Sequence, residues 1–571
     1  MKRAPANTAS NWRRHVVTGA CVLAGLVLVV RAFDLQVARR DFLQGQGDVR
    51  HVRTVPVPAH RGMLVDRNGE PLAISTPVWS VWADPAPLME ARDRWGALAT
   101  ALDMPVQALA ERISARADSE FVWLRRHMRP DRAEAVSELD VPGVGRRREY
   151  ERYYPTGEVS GHVLGFTDID DRGQEGLELA YDDWLSGRSG RKRVVQDRLG
   201  HVIEDLELLR PAEHGRDLRV SLDRRLQYLA YRELKSAVSR TGAKAGSLAM
   251  LDVHTGEVLA MVNQPAFNPN PSGNRSSQSV RNRAVTDVFE PGSTMKALTI
   301  AAALETGRFE PDTRIQTAPG TLRVGGHSIS DYRDLGELDV SGVIRMSSNV
   351  GATRIAMSLE PETLWRTYAR FGIAEDTGSG FPGEARGRMM PARNWGSVEQ
   401  ATMSFGYGLS VTPLQLTRAY AAIAADGMLP PVHFRAVPGR DAVADERRRV
   451  LSTETARELQ GMLQSVVDAG TGQRASISGY RVAGKTGTVH KVSANGYARD
   501  RYRALFAGFA PASDPRLAAV VVLDEPQGEN YYGGQVAAPV FGRVMAGALR
   551  LLDIHPDAGD GRMLARRGED S

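Results

Sequence analysis

Phe289-Glu290-Pro291-Gly292-Ser293-Thr294-Met295-Lys296 is the stretch from which the rest of the chain is read. A Pro-Gly turn closes one segment, and Ala297, Leu298, Ile300, Ala301, Ala302 and Leu304 then continue as an apolar helix towards Gly307. Ser293 therefore stands at a helix N-terminus, where the dipole favours negative charge. Lys296 follows by three residues, about one helical turn, so hydroxyl and amine share a face and the amine can reach the hydroxyl. A serine hydroxyl is a weak nucleophile, and lysine activates it only when neutral, which requires burial or positive neighbours. Arginine cannot give up its proton for that purpose. The chain writes arginine almost everywhere and keeps lysine at positions 2, 192, 235, 244, 296, 485 and 491, so Lys296 and Lys485 stand out.

Downstream, two further patches carry matching chemistry. Ser347-Ser348-Asn349 follows an amphipathic stretch and offers a hydroxyl to relay a proton and an amide to bind a peptide backbone. Lys485-Thr486-Gly487-Thr488 follows β-prone Tyr480 to Ala483. On a strand, Gly487 would let substrate backbone approach closely, while Lys485 and the two threonines would hold a carboxylate.

Around these patches the pattern is α+β. Ser247 to Val253 and Glu257 to Val262 read as an antiparallel hairpin through His254-Thr255-Gly256, and Arg503 to Ala510 with Leu517 to Leu523 repeats that signal through Ser513-Asp514-Pro515. Between them lies a mainly helical stretch that includes Thr294 to Glu305 and Thr453 to Val467. Ser221 to Arg240 predicts a helix capped by Ser221 or Asp223. Upstream, Asn68-Gly69 marks a hairpin turn, Arg92 to Arg116 and Pro130 to Leu139 carry helical patterning, and Gly173 to Arg191 predicts one short helix closed by Gly187. That upstream region shows no nucleophile and base pairing, so a structural or docking role is expected of it. Tyr407, Tyr502, Tyr531 and Tyr532 read as strand packing or as the lining of a groove.

Near the N-terminus, Val16 to Val30 is a continuous apolar run preceded by Lys2, Arg3, Arg13 and Arg14 and broken at Arg31. With Arg31 snorkelling, Ala32, Phe33 and Leu35 extend it to bilayer length. Basic residues before the run favour a cytoplasmic N-terminus, although Arg39 and Arg40 weaken the contrast. Val30-Arg31-Ala32 is a poor cleavage site, so an uncleaved anchor is expected, and Cys21 packs as an apolar thiol. The expected division is a cytoplasmic tail (1–15), a transmembrane anchor (16–36), a mixed α and β domain (37–219), a second domain (220–552) and a loose tail (553–571).

The chain has 571 residues, 42% hydrophobic and 25% charged, with net charge +5 and one cysteine. That length calls for more than one domain. The lone cysteine excludes an internal disulfide, a multi-thiolate zinc site or an iron–sulfur cluster held by this chain. Scattered basic residues argue against nucleic acid as a partner, and no metal or cofactor is called for. The histidines show no H-x-x-x-H pairing and no G-x-S-x-G elbow exists, which removes the zinc peptidase and Ser-His-Asp hydrolase readings.

S-x-x-K, S-x-N and K-T-G in this order resemble the penicillin-recognising serine acyltransferases. RGMLVDRNGEPLA, GQEGLELAYDDWLSG, SLDRRLQYLAYREL, NRAVTDVFEPGSTMK, FGYGLSVTPLQL and DEPQGENYYGGQVAAPVF extend the resemblance, from Arg61 to Phe541, to the class B penicillin-binding proteins, in particular their division-specific FtsI-type branch. The resemblance implies an N-terminal pedestal carrying a transpeptidase domain. It implies that Ser293 attacks the penultimate D-alanine of a stem pentapeptide and that Lys296 accepts its proton. Ser347 with Lys485 would protonate the leaving amine, Asn349 would bind the acyl chain, and Thr486 and Thr488 would hold the carboxylate. The N–H groups of Ser293 and Thr488 would form the oxyanion hole. It further implies inhibition by β-lactams, a catalytic domain in the periplasm at the septum, and a SEDS-family glycosyltransferase and other division proteins as partners.

Rival readings remain on the sequence. An elongation-type transpeptidase, or a non-catalytic β-lactam sensor or division scaffold, would share these motifs. Gly479 to Thr486 also fits G-x-x-x-x-G-K-T, with Ala519 to Glu525 as its acidic strand, which would make the protein an ATPase. Phosphate cradling needs a helix starting at the lysine, whereas β-prone residues surround Lys485.

Overall fold

The computed structural model describes residues 11–34, 52–196, 202–270, 276–493 and 496–558. Residues 1–10 of the expected cytoplasmic tail, 35–51 beyond the apolar run and 559–571 of the expected loose tail lie outside the described residues. Helix α1 (Asn11–Phe33) contains the whole apolar run, and its Trp12–Phe33 portion is long and apolar enough to cross a membrane, with none of it buried against protein. Arg31 Nη1 at its end donates to Asp34 at 2.8 Å, which partly neutralises the charge that interrupts the run.

Packing divides the chain into two units. The first comprises Met1–His60, Pro77–Tyr150 and Gly187–His214. It holds a three-stranded antiparallel sheet of Val52–Val57, Gly190–Gln196 and Val202–Arg210, and a core formed by Trp95, Leu98, Leu109, Ile113, Leu124 and Val136. The helical pattern over 92–116 is realised as two helices, Trp95–Ala101 and Val106–Ser114, because Pro105 lacks the N–H that would continue the first.

The second unit comprises Arg61–Thr76, Glu151–Ser186 and Gly215–Ser571. Its Asn68-Gly69 turn forms as the sequence predicts: Gly69 has φ +91°, and Asp66 Oδ1 accepts from the N–H groups of Asn68 and Glu70 at 2.7 and 2.9 Å. The stretch around Gly173 differs from expectation by forming two short helices, Gly176–Ala180 and Asp182–Leu185, separated at Tyr181. Leu64, Leu72, Tyr154, Val163 and Leu177 from the early segments pack with Leu251, Val258, Leu414 and Phe434 in one apolar cluster. Segments far apart in sequence thus share one core.

At the centre of this unit lies a five-stranded sheet: β1 (Ala245–Asp252), β2 (Val258–Gln264), β3 (Ala483–Ser493), β4 (Gly496–Ala510) and β5 (Leu517–Asp524). The order is β2-β1-β5-β4-β3, antiparallel throughout. Both predicted hairpins form, and β1 pairs with β5, so the strands flanking the insert meet. Seven of the eight residues in each of β1 and β5 are buried, which requires cover on both faces. Helices α2 (Arg224–Thr241) and α8 (Ala538–Leu551) cover one face. The insert covers the other with the helix Pro413–Ala424 and α6 (Thr453–Ala469), and α3 (Lys296–Leu304), α4 (Val340–Met346) and α5 (Asn349–Met357) pack into the same core. The short α7 (Gly533–Val536) precedes α8. Asp223 caps α2 by accepting from Arg225 N, and Gly242 closes it at φ +59°. Ser221, the alternative cap, instead donates to the carbonyls of Val258 and His433.

Candidate active site

Three separated stretches of sequence converge beside the edge strand β3. Gly292–Met295 forms a single 3-10 turn ahead of α3. Gly292 has φ +56°, and a Cβ there would lie 2.3 Å from Val489 Cγ1, so the turn is pressed against β3 and only glycine fits. Ser293 is half-buried, while every residue of α3 is buried. Lys296 is consequently carried into the protein interior, at 0% exposure.

Ser347 is the C-cap of α4 and is held at φ +62°, an uncommon conformation for a residue with a side chain. The turn aims both its carbonyl and its hydroxyl at the lysine. Lys296 Nζ lies 2.5 Å from Ser347 O, 2.7 Å from Asn349 Oδ1 and 3.3 Å from Ser347 Oγ. Lys485, also at 0% exposure, donates to Ser347 Oγ at 2.9 Å. One hydroxyl therefore bridges two buried amines.

The electrostatics follow from burial. Desolvation, then the neighbouring Lys485 charge, hold the Lys296 amine well below the ordinary lysine value, with Asp331 pulling weakly the other way. Burial brings Lys485 down to about 7. A neutral amine has two N–H donors and one lone pair. Ser347 O and Asn349 Oδ1 take the two donors of Lys296, which leaves its lone pair to accept a proton. Ser293 Oγ makes no hydrogen bond among the described residues, so its proton is uncommitted.

Above these amines opens a cleft of about 530 Å³, lined by Ser293, Ser347, Asn349, Thr486 and Thr488 among others. Strand alternation turns Thr486 and Thr488 to the cleft and Lys485 and Gly487 away from it. Thr486 Oγ1 pairs with Thr471 Oγ1 at 2.8 Å, and Thr488 Oγ1 accepts from Gly533 N at 2.9 Å. A Cβ on Gly487 would lie 2.7 Å from Leu505 Cγ and 3.0 Å from Pro291 O. The close approach that Gly487 permits in this structure is thus that of the nucleophile's own turn. As an edge strand, β3 leaves one side of its ladder open to an extended peptide.

Sequence reasoning missed Asp331, which organises the second patch. Its Oδ1 accepts from Asn349 N at 2.5 Å and Val350 N at 3.1 Å, and Ser348 Oγ donates to its Oδ2 at 2.5 Å. Ser348 in turn caps α5 by accepting from Gly351 N. Thr471, Arg474 and Gln535 also line the cleft. Nothing in Ser330-Asp331-Tyr332 or in the loop after α6 signals this, since both come from turns remote in sequence. Of the four tyrosines singled out, Tyr532 lines the cleft and stacks on Tyr531 at 4.5 Å, Tyr531 stacks on Tyr502 at 4.1 Å, and Tyr407 packs edge-on against Tyr497. The P-loop reading is closed by geometry: Lys485 sits inside a strand that continues to Ser493, where a phosphate cradle requires a helix.

A buried lysine pair on a shared serine, beneath a cleft bordered by a sheet edge, defines the penicillin-binding class of serine acyltransferases. Profiles for the penicillin binding protein transpeptidase domain and the penicillin-binding protein dimerisation domain match residues 246–546 and 56–220. The chain belongs to this family. It is 43% identical to the peptidoglycan D,D-transpeptidase FtsI of Escherichia coli strain K12, over 96% of this chain and 93% of that one, which places it with the FtsI-type class B penicillin-binding proteins. Among solved structures it resembles the transpeptidase domain of Burkholderia pseudomallei penicillin-binding protein 3 (44% identity, 60% of this chain and 98% of that one, TM-score 0.55). It also resembles penicillin-binding protein 3 of Mycobacterium tuberculosis complexed with aztreonam (28% identity, 88% of this chain and 98% of that one, TM-score 0.68).

Proposed function

We propose that this protein is a peptidoglycan D,D-transpeptidase that works through an acyl-serine intermediate at the division septum. The observation that carries the reading is the fully buried Lys296, with its two N–H groups engaged, one helical turn from the uncommitted hydroxyl of Ser293. Ser293 Oγ attacks the carbonyl carbon of the penultimate D-alanine while Lys296 takes its proton. The N–H groups of Ser293 and Thr488 stabilise the oxyanion. The C–N bond then breaks, and the departing amine receives a proton through Ser347 Oγ, which Lys485 recharges. Asn349 holds the acyl chain, and Thr486 and Thr488 hold the terminal carboxylate. An amine from a second stem peptide attacks the ester, restoring Ser293 and completing the cross-link. A β-lactam acylates the same oxygen.

The pedestal, 37–219, serves as a docking platform for a SEDS-family glycosyltransferase and other division proteins, and the transpeptidase domain spans 220–552. A single N-terminal membrane helix anchors the chain; the N-terminus is cytoplasmic and the catalytic domain periplasmic. The FtsI name carried by relatives over nearly the whole chain supports the septal role over an elongation role. Labelled penicillin with mass mapping tests the chemistry. A stoichiometric adduct on Ser293, absent in Ser293→Ala, is expected. An unmodified Ser293 would leave only a scaffold.

A further inference from the structure

The cleft contains two polar groups that the mechanism above does not use, an exposed arginine without a carboxylate partner among the described residues and a buried amide oxygen without a donor. Arg474 lies in the 3-10 turn Gln473–Ala475 and lines the cleft with an exposed side chain. Among the described residues it has no carboxylate within ion-pair distance, in a chain where most arginines near the core are paired. Gln535 lines the same cleft, and its Oε1 is buried with no hydrogen-bond partner. A buried amide oxygen left without a donor costs free energy, so its retention beside a substrate cleft needs a reason.

The local packing brings the two together. Gly534, the residue before Gln535, sits where a Cβ would lie 2.5 Å from Thr471 O and 3.5 Å from Thr486 Cγ2. Thr471 stands three residues before Arg474, and its hydroxyl touches that of Thr486 on β3. A free cation and a free acceptor therefore flank the end of the cleft marked by Thr471 and Thr486. An α-amino carboxylate presents the complementary pair, an anion one carbon away from an N–H donor group.

The reaction makes such a ligand necessary at this end. The leaving group, D-alanine, is itself an α-amino carboxylate whose nitrogen departs from the acyl carbon. Acceptor attack is the chemical reverse of that departure, so an acceptor of the same class fits the place D-alanine has vacated, nitrogen towards the ester and carboxylate towards Thr486 and Thr488, in the same lining as the Arg474 guanidinium.

We propose that Arg474 and Gln535 form an acceptor subsite that selects amines bearing an adjacent carboxylate, Arg474 reading the carboxylate and Gln535 Oε1 the N–H. This rests on the acyl-serine reading and names the class of its second substrate. In the step itself the neutral acceptor nitrogen bonds to the ester carbon, the carbon–Ser293 Oγ bond breaks, and the proton lost by nitrogen returns to Ser293 Oγ through Lys296.

The test uses the full chain in detergent micelles, acylated by an N-acyl-D-alanyl thioester, with D-alanine and D-alaninamide competing at equal concentrations of free amine. Mass spectrometry reads two things separately: the acyl adduct on Ser293 and the ratio of the two aminolysis products. The native protein is expected to favour D-alanine about tenfold or more, as a charge-assisted contact would give. Arg474→Gln should bring the ratio to about one, and Arg474→Lys to an intermediate value. Because the readout is a ratio from one acyl-enzyme population, partial misfolding does not alter it. Gln535→Leu should depress both products alike without changing their ratio. An acylated native protein that shows no preference, or an Arg474→Gln ratio equal to the native one, overturns the subsite. A change of ratio in Gln535→Leu overturns the amine assignment of Gln535. Failure of Ser293 to acylate at all overturns the transpeptidase reading, and the subsite with it.

Discussion

Arg61 and Lys296 are both buried in the same unit, at 1% and 0% exposure, and they are kept there by opposite means. Around Arg61 the facing charges are of opposite sign, although Arg152 Nη2 and Asp171 Oδ1 nearby are buried without a hydrogen-bond partner. Its Nε donates to Glu178 Oε2 at 2.8 Å and its Nη1 to Asp182 Oδ1 at 2.6 Å and Ser186 Oγ at 2.7 Å. Arg152 Nε holds the other oxygen of Glu178 at 2.7 Å. Burial opposes the Arg61 charge, yet the Glu178 and Asp182 carboxylates hold its pKa above the ordinary guanidinium value. Around Lys296 the neighbouring charge with the larger effect is another amine, ahead of the Asp331 carboxylate, and its contacts are neutral oxygens. The first cluster keeps its protons and ties Arg61, Arg152, Glu178 and Asp182 into one framework. The second is disposed to lose a proton, and a proton acceptor is what acyl transfer requires. Burial alone therefore does not distinguish structural from catalytic charge; the sign of the neighbours does.

The largest expected effect strikes the paired cluster. Arg61→Met leaves Glu178 with Arg152 as its one cation and Asp182 without a cation and should lower stability by about 3–5 kcal/mol, read by urea unfolding; a loss below about 1 kcal/mol would show that the cluster is dispensable. At the other cluster, Lys296→Arg keeps a long hydrogen-bonding side chain but stays protonated and cannot act as a base, so penicillin acylation should fall about 10²–10⁴-fold while the fold persists by circular dichroism. Near-native acylation would remove Lys296 as the base.

Acidity provides the next contrast. Lys485 titrates at about 7 in the folded chain and near its ordinary value of 10.5 when unfolded. Between those values the unfolded state binds more protons, so this group makes stability rise with pH from about 7 upwards; below that both states are protonated and the contribution is flat. Lys485→Met should flatten the rise over that window in a pH series of unfolding curves. Asp331→Asn loosens the anchoring of Ser348, Asn349 and Val350 and should slow acylation about tenfold, equivalent to about 1.4 kcal/mol. The smallest effect has the opposite sign to that at Arg61: Lys296→Met removes a desolvated amine and should raise stability by about 1 kcal/mol while abolishing acylation. A destabilised Lys296→Met protein would dissolve the distinction between the two clusters.

Much of this architecture was legible before folding was considered. The hairpins through His254-Thr255-Gly256 and Ser513-Asp514-Pro515, the Asn68-Gly69 turn and the helix after Gly292-Ser293 all carry local signals, because turn residues and apolar periodicity act within a few bonds. Ser293, Lys296, Ser347, Asn349, Lys485, Thr486 and Thr488 could be singled out as candidates because hydroxyl, amine and amide chemistry belongs to the residue itself. What was not legible depends on distant partners. Asp331 lies in Ser330-Asp331-Tyr332, an unremarkable polar turn until α5 is placed against it. Gly487 looks like a point of substrate approach until Pro291 O is found 3.0 Å from its missing Cβ. Arg474 and Gln535 carry no motif at all.

Chain order and residue chemistry alone set the local elements, the α+β class, the apolar α1 and the cast of reactive side chains, since each of these follows from propensity, period or functional group over a short span. Folding alone set which strand lies at the sheet edge, which segments share a core, and that Lys296 and Lys485 meet at one serine. Those outcomes depend on desolvation and on Coulombic interactions between residues far apart in the chain, and neither exists until the distances between them are fixed.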